Sequence, residues 1–78
     1  MPTVLRVNGF RFFFYTNDHL PKHIHIEKGE GTAKFYLFPV ELVKSKHFKA
    51  SEISEIRKLV LEHRELLNQK WDEYFNNK

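Results

Sequence analysis

His23 and His25 stand two residues apart, with Ile24 between them and Ile26 after. Side chains of an extended strand alternate with a period of two, so both imidazoles leave one face and both isoleucines the other. Histidine is the side chain most readily poised near neutral pH as acid, base or metal ligand. The pair lies in a segment, Asn17 to Gly29, that also holds Asp18, His19 and Glu27.

Residues of these types at this spacing suit three chemistries. The first is cleavage of RNA without a metal. That needs a base for the 2′-hydroxyl, an acid for the leaving oxygen and cations for the phosphate charge. His23 and His25 fit the first two roles and are the candidate catalytic residues. Arg6, Arg11 and Lys34 fit the third, while Phe13, Tyr15 and Tyr36 can stack on single-stranded bases. The second is metal binding: His-x-His presents two imidazoles to one ion, and Asp18, His19 or Glu27 can complete the shell. This spacing is a weak signal by itself, and neighbouring cations disfavour a bound dication. No metal set and no cofactor are therefore assigned. The third is interaction. Arginine and tyrosine are common interface anchors, and Arg6, Arg11, Tyr15, Asp18, His19, Lys34 and Tyr36 are the candidate binding residues. On this reading the histidines simply alternate along a solvated face, with His23 packed on Tyr36.

The elements that must position these groups are strands. Thr3–Val7 and Phe10–Tyr15 flank Asn8-Gly9, and a two-residue Asn-Gly loop suits a type I′ hairpin. The loop sets Val7 against Phe10, Arg6 against Arg11, Leu5 against Phe12 and Val4 against Phe13. Leu5, Val7, Phe10, Phe12 and Phe14 then share the core face, and Arg6, Arg11, Phe13 and Tyr15 the other. Two arginines directly opposite each other repel, so a carboxylate such as Glu27, or an acidic partner, is expected beside them. Lys22–Glu27 and Thr32–Phe38 form a second hairpin around Lys28-Gly29-Glu30-Gly31. It pairs Ile26 with Ala33, Ile24 with Phe35, His25 with Lys34, His23 with Tyr36 and Glu27 with Thr32.

Pro39 ends the fourth strand. Val40–Val43 fits a helical turn and a fifth strand equally, and Lys44–Lys49 reads as a basic loop. A long helix follows from Ser51 as N-cap to about Phe75. Glu52 and Glu55 lie in its first turn, and Ile53, Ile56, Leu59, Val60, His63, Leu66, Leu67 and Trp71 recur at helical spacing. His63 reads as a packed residue. The expected fold is a single α+β domain over residues 1–78, an antiparallel sheet of four strands, or five, with the helix packed on one face.

The 78 residues include eight Phe, three Tyr and one Trp, which supply a core at a size where cores are marginal. The absence of cysteine excludes disulfides and thiolate metal sites and fits a reducing cytoplasm. No apolar run approaches the ~18 residues of a membrane span. The net charge of +3 is compatible with an anionic partner without implying one.

Met-Pro-Thr-Val-Leu-Arg at the start, Phe-Arg-Phe-Phe-Phe-Tyr-Thr-Asn-Asp-His, Pro-Lys-His-Ile-His-Ile-Glu and Phe-Pro-Val-Glu-Leu together resemble a family of small bacterial proteins. It is catalogued as domain of unknown function 4160. The resemblance covers nearly the whole chain, and Pro-x-His-x-His, Pro21 to His25, is its most specific mark. Members are often encoded beside another small protein, an arrangement that suggests toxin–antitoxin pairs. The resemblance implies a compact cytoplasmic protein that binds a small protein partner, and it supplies no catalytic residue. The sequence thus favours a small cytoplasmic interaction protein, one component of such a pair, with RNA as a further partner, a homodimer as an option and no membrane. A metal-independent ribonuclease-like toxin is the first alternative, and a His-x-His metal-binding protein the second.

Overall fold

Asn8 and Gly9 turn the chain at φ values of 54° and 85°. These paired positive angles are what a type I′ hairpin demands and what Asn-Gly supplies at least cost. The computed structural model describes residues 3–15 and 17–75. Its strands are β1 (Thr3–Val7), β2 (Phe10–Phe13), β3 (His23–Lys28), β4 (Gly31–Leu37) and β5 (Val40–Lys46). They form one antiparallel sheet in the order β1-β2-β3-β4-β5, followed by helices α1 (Ala50–Glu62) and α2 (Arg64–Phe75). The fold is α+β, as the sequence pattern implies, and β5 settles the choice left open at Val40–Val43.

Register is as expected at Val7–Phe10, Arg6–Arg11 and Leu5–Phe12, and throughout β3–β4 from His23–Tyr36 to Glu27–Thr32. The first hairpin departs from expectation at its far end. A bulge between Thr3 and Leu5 puts Thr3, not Val4, opposite Phe13. Thr3 Oγ1 thereby reaches Arg11 and accepts a hydrogen bond from its Nε at 2.8 Å. In the second hairpin Lys28 already pairs with Gly31, so the loop is Gly29-Glu30 rather than four residues.

The segment Lys44–Lys49 is not wholly a loop, because β5 runs on to Lys46 and a positive φ of 64° at His47 ends it. Phe35 pairs with Leu42 but Lys34 with Lys44, so one extra residue, Val43, interrupts the alternation. That bulge hid the strand from a period-two pattern.

The expected single helix is bent into two. His63 has φ −105° and ψ 15°, yet its N–H donates to Leu59 O at 3.0 Å and its carbonyl accepts from Leu67 N–H at 2.9 Å. The hydrogen-bond ladder therefore crosses the bend. The N-cap is Lys49, not Ser51. The Lys49 backbone N–H donates to the carboxylate of Glu52 at N3, at 2.9 Å, the N3 half of a capping box.

Phe10, Phe12 and Phe14, with Ile24, Ile26, Phe35 and Leu37, bury one face of the sheet against Ile56, Val60, Leu67 and Trp71. The helices thus cover the isoleucine side, as alternation requires. No helix among the described residues is long and apolar enough to cross a membrane.

Candidate functional site

The face away from α1 carries His23, His25 and Glu27 of β3, Lys34 and Tyr36 of β4, and Arg11 and Phe13 of β2, by register. Its histidine end is not solvated. His23 is only 4% exposed, with its ring 5.2 Å from Trp71 and 5.0 Å from His25. Phe13 is 3% exposed. It stacks on His25 at 5.6 Å, with the Arg11 guanidinium 4.3 Å from its ring centroid. Phe13 is therefore no platform for a nucleic-acid base. Tyr15 remains exposed and sets its ring edge 4.5 Å from His25.

The turn before β3 delivers Asp18 to both histidines. Its Oδ2 accepts the Tyr15 backbone N–H at 2.9 Å, and its own N–H donates to Tyr15 O at 3.3 Å. This reciprocal turn aims Oδ1 at His23 Nε2, 3.1 Å away, and at His25 Nε2, 3.3 Å away. His25 Nε2–H donates to that oxygen. His23 does not. Its Nδ1–H donates to the Pro21 carbonyl at 2.9 Å, and its Nε2 is buried without a hydrogen-bond partner. One ligand atom from each of Asp18, His23 and His25 lies within 4.8 Å of the other two.

Burial and neighbouring groups shift the titration of His25 and Asp18 in the same direction, downward. Burial pushes the His25 pKa below its ordinary value; the Asp18 carboxylate opposes this, and His23 and Lys34 add to it. The ring is neutral at pH 7. Burial alone would raise the Asp18 pKa. The hydrogen bond from the Tyr15 backbone N–H, with the imidazoles of His23 and His25 beside the carboxylate, outweighs it, so the carboxylate is held below its ordinary range.

The remaining residues singled out by sequence fall in different places. Arg11 is taken up by Glu27 at 2.8 Å, so the pair of facing arginines is relieved within the chain. Arg6 is exposed on β1 and His19 is exposed in the turn, neither joined to the cluster. Lys34 lies beside His25 in a groove of about 460 Å³ that also takes in Tyr15, Thr32, Lys44 and Lys46. Lys44 and Lys46 went unnoticed as site residues because their strand was unrecognised. Trp71 was legible only as core, and no local pattern could bring it to His23 from 48 positions away.

The family described as Domain of unknown function (DUF4160) matches residues 9–72 of the chain. No curated protein and no solved structure matches it.

Proposed function

We propose that this chain, which belongs to the DUF4160 family, is a small interaction protein that takes an acidic partner protein on the lysine groove of its sheet. The observation that carries this is the cross-strand pair Lys34–Lys44, with Lys46 two pairs further along, opposite Thr32. Like charges directly opposite each other on a sheet are destabilising, on a scale of about 0.2–1 kcal/mol. No carboxylate among the described residues is ion-paired to any of the three. An acidic segment of a partner would relieve the repulsion, as Glu27 relieves Arg11 within the chain. The role as one component of a toxin–antitoxin pair in the bacterial cytoplasm rests on the family resemblance, and the groove supplies a surface for it.

Tyr15 supports a second reading, single-stranded RNA. An exposed ring beside lysines offers a stacking surface next to phosphate contacts. Acid–base cleavage by both histidines draws less support, since His23 is sealed and both rings converge on one carboxylate.

The test is expression of the chain alone and with the product of its neighbouring gene, scoring growth and co-purification. Lys34→Glu/Lys44→Glu should abolish co-purification. Undiminished co-purification by that variant overturns the groove as the docking surface. A labelled single-stranded RNA that binds the wild type no better than the variant rejects the second reading.

A further inference from the structure

We propose that Asp18, His23 and His25 form a binding site for a divalent first-row transition-metal ion, with zinc the best fit to their donor set. A tetrahedral zinc centre with bonds of about 2.0–2.1 Å has edges of roughly 3.3 Å between its ligand atoms. The Asp18 Oδ1 atom stands 3.1 Å from His23 Nε2 and 3.3 Å from His25 Nε2. Those are two edges of such a tetrahedron, already formed.

The buried orphan is the independent observation. His23 gives its Nδ1–H to the Pro21 carbonyl, so the neutral ring carries its lone pair on Nε2. That lone pair is buried, has no donor and lies 3.1 Å from a carboxylate oxygen. Two acceptors at this distance call for a cation between them. The outer contacts are also those of a metal site. A ligating histidine commonly donates its other N–H to a backbone carbonyl, and a ligating carboxylate is itself hydrogen-bonded. Pro21 O does the first, and the Tyr15 N–H on Asp18 Oδ2 does the second. His25 needs only to move its proton from Nε2 to Nδ1.

Donor chemistry narrows the ion. Two imidazoles and one carboxylate suit zinc, iron, cobalt or nickel rather than calcium or magnesium, which prefer oxygen shells. Three protein donors leave a fourth position for water or a ligand group. His25 also lines the lysine groove, so an anion held there would lie beside the ion. Lys34 adds a positive charge opposite His25 and limits affinity without blocking the site.

The test uses the tag-free full chain, stripped with chelator, titrated with zinc chloride by calorimetry and followed by thermal melting. One equivalent should bind with Kd at or below about 1 µM, and roughly 100 µM zinc should raise Tm. His25→Ala and Asp18→Asn should each weaken binding at least about 100-fold and abolish the shift, with circular dichroism of the metal-free variants reporting an intact fold. Cobalt should give the visible bands of a four-coordinate N/O centre in the wild type only. No heat and no Tm shift at roughly 100 µM zinc would overturn the site. So would binding unchanged in both variants, which would place the ion at other histidines. The titration involves the metal only, so it succeeds or fails independently of partner docking.

Discussion

Phe13 and His25 lie face to face, their ring centroids 5.6 Å apart and their planes 26° apart. Phe13 shelters the ring that the Asp18 cluster depends on and fills the space between Arg11 and β3. Phe13→Ala should therefore behave as a core deletion. We expect a loss of about 3 kcal/mol in urea unfolding. A cost under about 1 kcal/mol, the range of an exposed substitution, would show that this side of the sheet is not a second core.

Gly31 sits under Phe48. A Cβ placed there would meet Cδ1 of that ring at 2.6 Å and Cζ at 2.8 Å, while the ring itself packs on Phe10 at 5.9 Å. Gly31→Ala must push Phe48 off Phe10, at about 1–3 kcal/mol. Adding Phe48→Leu should recover part of that loss, because the smaller side chain makes room. Strict additivity of the two changes would refute the contact as the cause.

The same contrast explains what could be read ahead. The Asn8-Gly9 turn and the β3–β4 register follow from local turn chemistry and alternation, and both are where those rules put them. The rules fail where one strand carries an extra residue. The bulges at Thr3–Leu5 and opposite Lys34–Phe35 moved Val4 off Phe13 and concealed β5 with Lys44 and Lys46. Alternation also gives a side of a sheet, not its solvent. That His23 is sealed depends on Trp71, which the bend at His63 and the packing of α2 bring to it. The convergence of Asp18 on both rings depends on the turn with Tyr15, a tertiary fact with no periodic signature.

Arg11 separates a surface ion pair from the packing around it. Glu27→Gln removes only the charge opposite Nη1, in a pair whose acid is 41% exposed. It should cost no more than about 1 kcal/mol and lose its effect in high salt. Arg11→Ala also removes the hydrogen bond to Thr3 Oγ1 and the guanidinium over Phe13. That variant should cost more, by about 1 kcal/mol, and the excess should survive salt. Equal losses from both changes in urea titrations would assign the whole effect to the ion pair.

The metal-free protein should lose stability in acid in two stages. The unfolded His25 takes a proton near its ordinary value of 6.5, while the folded ring, depressed mainly by burial, takes it only at lower pH. Between those values the unfolded chain holds more protons, so stability falls as pH falls. The loss begins below about pH 6.5 and is complete once pH drops under the folded value. Asp18 acts lower on the scale. Its folded pKa lies below 3.8, because the Tyr15 N–H and His23 outweigh the opposing effect of burial. Its ionised form therefore stabilises the fold above the unfolded value, and that contribution disappears as pH falls through the folded one. Urea midpoints in chelator from about pH 8 to about pH 3 would resolve both stages. His25→Asn should flatten the upper stage and leave the lower. An upper stage unchanged in that variant would assign it to another histidine.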